Sequence, residues 1–412
     1  MEEENKYINK KKYNIAILLP TLDRGGAERV ATELSHYFHE RNYNVYLFVN
    51  KLNRVVDYPY SGTAIEIPKE DYKELLIFKN KIAKLISLKA KAGAIRKLKK
   101  KYHIDYSISF MDEYNLLNVM SRYRDKTFIR ICDVMSVSGV ARENGWDFAP
   151  IIIGHYYNQA TRVIVVNGAE KKDLSDNYFV HKEKFCKIIN PIRSVQFKPS
   201  NREWGFGGFG IVCVGRIIEI KQQHHIVRAF QKVKDKCPKA KLIFIGNGES
   251  KYFQYVRQLT IAMNLTNDVI FEGRQTDIGF YLNNGKVFVS ASRTEGYPNC
   301  VLEAMTVGIP VVAADGIGGV GEILNDDENY EHPINCVKKC RYGILTPQID
   351  GTHYSADTPL TTEENLLAQA ITDLLLDESL HKKYYKVASQ YIKANDISTV
   401  GRKWEELFAD ED

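Results

Sequence analysis

Two carboxylates and two cations stand where a protein could hold an anionic, hydroxyl-rich ligand. Glu295 and Glu303 lie eight residues apart: Glu295 is in the loop that follows an apolar run, and Glu303 is about one turn inside the predicted helix after that loop. Arg216 follows the glycine that ends another apolar run, and Lys221 comes five residues later. An arginine fork and a lysine point charge together suit a diphosphate, and carboxylates beside them could accept hydrogen bonds from sugar hydroxyls. Taken singly, each of these residues is as readily an ordinary surface charge.

Two glycines provide a second possible contact with a phosphate. Gly25 and Gly26 directly follow an apolar run and open a predicted helix. Adjacent glycines let a ligand approach the backbone closely, and the amides at a helix start attract anions. A tight turn between a strand and a helix would explain the same pair equally well. The G-x-G-x-x-G spacing of dinucleotide-binding proteins is missing, which disfavours a hydride-transferring enzyme.

Short runs rich in Ile and Val alternate with amphipathic stretches along the chain. This pattern predicts parallel strands covered on both faces by helices, and two such series predict two doubly wound α/β domains. A stretch with two prolines, between Asn190 and Asn201, marks the expected boundary. The strands are predicted at Asn14–Leu19, Asn44–Val49, Tyr106–Phe110, Thr127–Ile131, Arg162–Val166, Phe209–Val214, Lys241–Ile245, Val269–Glu272, Val287–Ala291 and Pro310–Ala314.

Composition favours a cytosolic protein. The chain has 412 residues, of which 44% are hydrophobic and 26% are charged, and this is enough apolar material for large cores. No run of about 18 apolar residues predicts a membrane span, and the Lys- and Glu-rich start does not resemble a secretory signal. Seven scattered cysteines argue against a disulfide framework.

The positive charge is concentrated in one segment. Lys79–Lys101 holds ten Lys or Arg and no Asp or Glu, whereas the whole chain carries a net charge of only +6. This distribution disfavours a uniformly basic nucleic-acid-binding protein. Ile82, Leu85, Ile86, Ile95 and Leu98 fall partly on one face, so we expect a basic amphipathic helix. It would contact an anionic membrane surface or the phosphates of a polyprenyl-diphosphate acceptor, unless it is simply a solvated helix.

Four segments together resemble one enzyme family. The stretch RTEGYPNCVLEAMTVGIPVVAAD, with Glu295-x7-Glu303, looks like the E-x7-E signature of retaining glycosyltransferase family 4. VGRIIEIK resembles that family's donor-diphosphate loop, LPTLDRGGAERV its glycine loop, and IINPI the end of its first domain. The resemblance runs from Asn14 to about Tyr391, with the motifs in the family order.

The resemblance implies a GT-B fold, which consists of two Rossmann-like domains facing a central cleft. We therefore expect an acceptor domain at residues 1–195, a nucleotide-sugar domain at 196–390, and a final helix at 391–412 that returns to the first domain. The implied catalytic residues are Glu295, Arg216, Lys221 and Asp133. The implied donor-binding residues are Gly25, Gly26, Gly215, Arg274, Gly296, Tyr297, Pro298, Asn299, Leu302 and Glu303.

Specific roles follow from the resemblance for some of these residues. Arg216 and Lys221 would neutralise the donor diphosphate, Glu303 would bind the nucleotide ribose, and Glu295 would contact the transferred sugar. Some family members carry a histidine near the position of Asp133, and we expect the aspartate to replace it. Arg274 would lie near the nucleobase.

The implied reaction is transfer of a hexose-type sugar, with anomeric retention, from a UDP-sugar to a hydroxyl of a saccharide or lipid-linked acceptor in bacterial surface-glycan synthesis. We expect no metal cofactor, because cations of the protein would stabilise the leaving diphosphate. His332, Cys336 and Cys340 lack an obvious fourth ligand and make a poor zinc site. The alternatives are a nucleotide-sugar epimerase, which needs no acceptor, a sugar-nucleotide-binding protein without activity, and a phosphorylase, for which no cofactor lysine is apparent.

Overall fold

The chain forms two compact α/β units. The structure, a computed structural model, describes residues 12–23, 25–52, 58–69, 81–135, 149–192, 209–248 and 251–411. The first unit consists of Met1–Val166, Glu170–Pro191 and Ile397–Asp412, and the second of Asn167–Ala169 and Ile192–Asp396. The expected linker overlaps residues 193–208, which lie outside the described residues.

A seven-stranded parallel sheet forms the centre of the first unit. Its strand order is β3-β2-β1-β4-β5-β6-β7, so the chain reverses its direction of travel across the sheet between β1 and β4. In such sheets, ligands bind outside the carboxyl ends of the strands near this reversal. The strands are β1 (Asn14–Leu18), β2 (Asn44–Val49), β3 (Thr63–Glu66), β4 (Tyr106–Phe110), β5 (Lys126–Arg130), β6 (Arg162–Val165) and β7 (Phe185–Lys187).

The second unit repeats this arrangement with an added antiparallel edge. Its main sheet has the order β10-β9-β8-β11-β13-β16-β15, in which only β15 runs antiparallel, and β12 pairs with β14 separately. The strands are β8 (Gly210–Val214), β9 (Lys241–Ile245), β10 (Val269–Gly273), β11 (Val287–Ser290), β12 (Thr294–Glu295), β13 (Val311–Ala314), β14 (Ile317–Gly318), β15 (Lys338–Lys339) and β16 (Gly343–Thr346).

Helices connect most of the parallel strands in both units. In the first unit they are α1 (Gly26–Glu40), α2 (Lys81–Lys101), α3 (Asp112–Met120), α4 (Ala149–Tyr157) and α5 (Gly168–Tyr178), whose first two residues count with the second unit. The second unit has α6 (Gln223–Lys236), α7 (Lys251–Ala262), α8 (Ile278–Asn284), α9 (Asn299–Val307), α10 (Gly319–Asn325), α11 (Thr362–Leu376) and α12 (Glu378–Ala394). Among the described residues, no helix is both long and apolar enough to cross a membrane.

The last helix, α13 (Ile397–Glu411), belongs to the first unit and packs on its sheet. Trp404 and Phe408 are both buried, and the Phe408 ring stacks on Tyr106 with 4.3 Å between ring centroids. The Tyr37 hydroxyl of α1 donates a hydrogen bond of 2.8 Å to Glu405. The expectation that the chain ends in a helix returning to the first domain is confirmed.

The predicted strands are all present, with ends shifted by at most one residue. Four further strands in the main sheets and the β12–β14 pair had no clear sequence signal. Thr63–Glu66 is only partly buried and Lys338–Lys339 is exposed, because both lie at sheet edges and carry no continuous apolar run. Pro298 occupies the N-cap position of α9, and Asn299 is the first helical residue.

Helix α2 contains the basic segment, but its charge is not all exposed. Lys99 is fully buried and its ammonium donates to Asp125 at 2.8 Å and to Asn118 Oδ1 at 2.7 Å. Burial would raise the pKa of Asp125, but the charge and hydrogen bond of Lys99 outweigh it and hold that pKa below its usual range. Ile86, expected on the apolar face, is 48% exposed. Lys99 is therefore part of the core and cannot bind an external anion.

We predict that Lys99→Ala lowers the free energy of unfolding by about 3–5 kcal/mol, because it leaves the buried Asp125 carboxylate without its cation. Lys100→Ala, one position further along the helix and exposed, should change it by less than about 0.5 kcal/mol. Urea unfolding of both variants measures the difference, and equal stability of the two would contradict the assignment.

Candidate functional site

Two glycine-containing loops meet at the carboxyl ends of β8 and β9. The amide of Gly215 donates to the Ile245 carbonyl at 2.9 Å, and that of Ile217 donates to the Asn247 carbonyl at 2.9 Å. Gly246 has a positive φ of 149°, and a Cβ there would come within 2.0 Å of the Gly215 carbonyl oxygen. Only glycine at position 246 allows the two backbones to come this close. Gly246 therefore lets the loop after β9 pack against the loop that carries Arg216.

Lys221 and Glu295, which are 74 residues apart in the chain, form a direct ion pair. The Lys221 ammonium donates to Glu295 Oε1, and the Ser292 hydroxyl donates to the same oxygen at 2.8 Å. About a fifth of each charged side chain is exposed. Burial would lower the pKa of Lys221, but the Glu295 carboxylate outweighs it and raises the pKa. The raised pKa keeps Lys221 charged at neutral pH, and the exposed fraction of both side chains leaves the pair within reach of a ligand.

The backbone around Glu295 is held by the short β12–β14 pair. Gly318 has a φ of 124°, and a Cβ there would lie 1.8 Å from the Glu295 carbonyl oxygen. The Gly319 amide donates to the Gly296 carbonyl at 3.0 Å, and the Arg293 amide donates to the Ile220 carbonyl at 2.8 Å. The loops of Lys221 and Glu295 are therefore joined by backbone as well as by charge.

The residues after Glu295 include buried side chains of the core and the start of helix α9. Tyr297 and Leu302 are 7% and 2% exposed, and the Tyr297 hydroxyl pairs with that of Tyr391. Their side chains support the loop. Gly296 and Pro298 are buried as well, whereas Asn299 is partly exposed, so the start of α9 is the part of this stretch that a ligand could reach. Pro298 has no side-chain donor or acceptor to cap α9, so the amides at that helix start are suited to an anion. Glu303 is buried in the first turns of the same helix, 4% exposed.

Arg216 and Arg274 are exposed at the same edge of the second sheet, after β8 and β10 respectively. Arg216 forms no ion pair with any described residue. In the second unit, Lys221 and Glu295 are in contact, Arg216 lies in the loop that leads to Lys221, and α9 begins four residues after Glu295. The roles of these residues stay predictions.

A cluster of charged groups beneath α6 supports the Lys221 loop, and sequence reasoning did not find it. His225 Nε2 lies 2.7 Å from the Asp350 carbonyl oxygen, and Nδ1 lies 2.7 Å from Glu364. Burial would raise the pKa of Glu364, but hydrogen bonds from His225 and Arg228 hold it below its usual range. Both ring nitrogens therefore lie within hydrogen-bond distance of an oxygen atom. The Gln222 amide donates to the same Asp350 carbonyl at 2.7 Å, so this cluster anchors the residue next to Lys221.

The glycine pair of the first unit opens α1. Gly25 precedes the helix in an extended conformation, and its carbonyl accepts from the Arg29 amide at 3.1 Å. A Cβ at Gly25 would come within 2.1 Å of the Glu28 carboxylate. The position of Glu28 therefore explains why residue 25 is a glycine. This reason is separate from the predicted role of Gly25 in binding the donor. Gly26 is exposed at the helix start.

Asp133 follows β5 and has a carboxylate neighbour that the sequence analysis missed. Asp112 begins α3 directly after β4, and burial together with the Asp133 charge raises the pKa of Asp112 to about 6. Met111, between β4 and Asp112, has a positive φ of 70°, which is strained for a residue with a side chain. A strained residue and a carboxyl with a raised pKa at a strand end are typical of functional sites. The sequence contains one signal for this site, since Asp112 lies two residues after the predicted strand Tyr106–Phe110.

The possible zinc ligands do not converge. His332 Nδ1 lies 3.0 Å from Asp315, Cys336 is exposed, and the buried Cys340 thiol donates to the Lys338 carbonyl. In the part of the chain that the structure describes, no three His, Cys, Asp or Glu side chains are grouped to hold a metal ion.

Two Rossmann-like units, with a final helix packed on the first, define the GT-B fold. Residues 203–333 match the family model described as glycosyl transferases group 1. The crystal structure of Anabaena HepE in complex with UDP and glucose is similar to this chain, with a TM-score of 0.74 and 17% identity, and the alignment covers 97% of this chain and 100% of that one. At this identity the likeness shows the fold.

Two curated relatives are glycosyltransferases by name. An uncharacterised glycosyltransferase of Methanocaldococcus jannaschii is 29% identical over 62% of this chain and 66% of its own length. An N-acetylgalactosaminyltransferase of Campylobacter jejuni, whose name specifies a diphospho-undecaprenol-linked saccharide, is 24% identical over 94% of this chain and 97% of its own. These matches support a glycosyltransferase of the GT-B type and give the epimerase alternative no support.

We predict that Asp112→Asn raises the free energy of unfolding at pH 7 by about 1–3 kcal/mol, because one pKa unit corresponds to about 1.4 kcal/mol. The folded-state pKa lies above the unfolded one, so the wild-type protein loses stability as pH rises through 6. The gain from the substitution should therefore shrink as pH falls from 7 towards 4. Thermal unfolding measured from pH 4 to pH 7 tests this prediction, and Asp410→Asn, at an exposed position, is the control. Destabilisation by Asp112→Asn at pH 7 would contradict the prediction.

Proposed function

We propose that the protein transfers a hexose from a UDP-sugar to a hydroxyl of a saccharide or lipid-linked acceptor, with retention of the anomeric configuration. The observation that carries this proposal is the Lys221–Glu295 ion pair, placed beside Arg216 and the start of α9 at one sheet edge. The names of the relatives add support, since one describes UDP with glucose and another a lipid-linked saccharide.

The pair combines the two functions that a donor site needs. Lys221 and Arg216 offer positive charge to the leaving diphosphate, and amides at the start of α9 add partial charge. Glu295 is acceptor-only when ionised, so it can order the hydroxyls of the transferred sugar. Glu303 offers a buried carboxylate to the ribose. These protein groups suffice to bind the diphosphate without a metal, and we expect activity to persist in a chelator.

Retention requires either a nucleophilic carboxylate or attack from the face that the diphosphate leaves. Glu295 is already engaged by Lys221 and Ser292, which suits a positioning role better than that of a nucleophile. We therefore propose front-face attack, in which the acceptor hydroxyl passes its proton to the departing phosphate as the new glycosidic bond forms. In the first unit, Asp133 and its neighbour Asp112 are proposed to bind substrate hydroxyls.

The expected acceptors belong to bacterial surface-glycan synthesis, and lipid-linked acceptors are found at membranes. We propose that exposed cations of α2, such as Lys89, Arg96 and Lys100, allow peripheral contact with the cytoplasmic face of an anionic membrane. Each cation near such a surface contributes about 1 kcal/mol, and salt screens the attraction. Lys99 makes no part of this surface because it is buried.

A panel of nucleotide-sugars identifies the donor. A true donor at 100 times its dissociation constant should stabilise the fold by about 2.7 kcal/mol, which a thermal shift reveals. With that donor, UDP release should depend on a saccharide acceptor. Equal UDP release without any acceptor, or no thermal shift with any UDP-sugar, would contradict the proposed transfer.

Replacing the donor-site cations should reduce turnover while preserving the fold. Loss of one contact to charge developing in the transition state costs about 2.7–4 kcal/mol, so kcat of Lys221→Ala should fall by about 10²–10³-fold, and Arg216→Ala should also reduce kcat strongly. Lys232→Ala, an exposed cation on α6, serves as the matched control. Near-normal turnover of both donor-site variants would remove these residues from the mechanism.

The two glutamates should differ in what they contribute. Glu303→Ala should weaken the binding of UDP by about tenfold or more, because a hydrogen bond to a charged group contributes about 1.5–3 kcal/mol. Glu295→Ala should mainly lower kcat and leave UDP affinity little changed, since UDP carries no transferred sugar. Calorimetric titration measures both, with Glu303→Gln controlling for packing. Unchanged UDP affinity in Glu303→Ala would exclude the ribose role.

A further inference from the structure

The first unit has a basic cavity of about 880 Å³ that lies outside the site described above. Its volume falls within the range of pockets that bind small molecules. Four segments contribute to it: the residue before β1, the last turns of α2, the residues leading into β4, and the residues around the start of β5. It is lined by Tyr13, Lys97, Lys100, Lys101, His103, Ile104, Asp105, Tyr123, Arg124 and Lys126.

The cavity lies at the amino ends of the central strands. Tyr13 and Asp105 immediately precede β1 and β4, and Lys126 is the first residue of β5. Asp112 and Asp133 follow the carboxyl ends of β4 and β5. The cavity and the carboxylate pair are therefore on opposite edges of one sheet, and a group bound in the cavity cannot be the reacting end of a substrate held by those carboxylates.

Among the described residues that line the cavity, positive charge exceeds negative charge. Five Lys or Arg line it with one carboxylate, and Asp105 already accepts a hydrogen bond of 2.8 Å from the Asn14 amide. Lys100, Arg124 and Lys126 form no ion pair with any described residue. The Arg124 guanidinium lies 5.6 Å from the Tyr123 ring centroid, which orients it without neutralising it.

The structure of the fold explains the presence of only some of these cations. Lys100 and Lys101 end α2, where the helix dipole favours cations. No such reason applies to Arg124 and Lys126, which belong to the turn before β5 and the strand itself. Converging like charges repel one another, so the fold gains nothing from gathering them in one concavity.

We propose that this cavity binds a phosphate-bearing group, because an arginine fork and several lysine ammoniums match the charge and the acceptor oxygens of phosphate. The group comes either from a soluble phosphate compound or from the headgroup of an anionic lipid. In the second case the cavity is the defined point of the membrane contact proposed above. The site is independent of the donor residues and of sugar transfer.

Inorganic pyrophosphate is the soluble probe, and vesicles with phosphatidylglycerol, compared with pure phosphatidylcholine, are the lipid probe. All proteins carry Arg216→Ala and Lys221→Ala, so pyrophosphate cannot bind through the proposed donor cations and the result does not depend on the proposed function. The test variant is Arg124→Gln/Lys126→Gln, and the control is Arg402→Gln/Lys403→Gln, which removes the same charge from exposed positions of α13 outside the cavity. Circular dichroism and thermal midpoints verify that both fold.

At low salt, we expect calorimetry to show pyrophosphate binding that weakens about tenfold or more in the test variant and less than about twofold in the control. Vesicle co-sedimentation that falls more in the test variant than in the control supports the headgroup as the source, and pyrophosphate binding without vesicle binding supports a soluble phosphate compound. Lys97→Gln/Lys100→Gln, on the helix side, should repeat the loss. No binding of either probe, or equal binding by test and control variants, would overturn the proposal.

Discussion

The candidate site depends on one ion pair, that between Lys221 and Glu295. The two residues come from different loops of the second unit, and the backbone bond from Arg293 to Ile220 joins those loops beside the pair. Each charge compensates the partial burial of the other, so the site is stable before a ligand arrives. In the proposed reaction, a diphosphate competes for the lysine while sugar hydroxyls compete for the carboxylate. The same contact would then both stabilise the loops and hold the two side chains in place for a donor.

Much of the fold could be predicted because buried parallel strands leave a strong pattern of Ile and Val. Strands such as Lys241–Ile245 have the predicted bounds, whereas edge strands such as Thr63–Glu66 lack that pattern because one face is not buried. The resemblance brought Lys221 and Glu295 together in one site before their contact was seen. Sequence could not show that Tyr297 and Leu302 are core residues, or that His225 anchors the donor loop through Asp350.

The basic segment Lys79–Lys101 is a second case in which sequence could not show which side chains are buried. Its run of lysines suggested a uniform surface, but periodicity alone cannot separate a buried lysine from an exposed one. Lys99 enters the core because Asp125 and Asn118, far from it in sequence, supply acceptors there. Arg124 and Lys126 lie outside the segment, yet they complete the basic cavity with Lys100. The raised pKa of Asp112 likewise depends on burial and on Asp133, which only the folded chain brings near.

An experimental structure of the protein with UDP bound tests the central claim most directly. The account predicts diphosphate oxygens within hydrogen-bond distance of Lys221 Nζ and the Arg216 guanidinium, with the ribose hydroxyls on Glu303. UDP bound elsewhere, with the Lys221–Glu295 pair unchanged and its surroundings empty of phosphate, would contradict it.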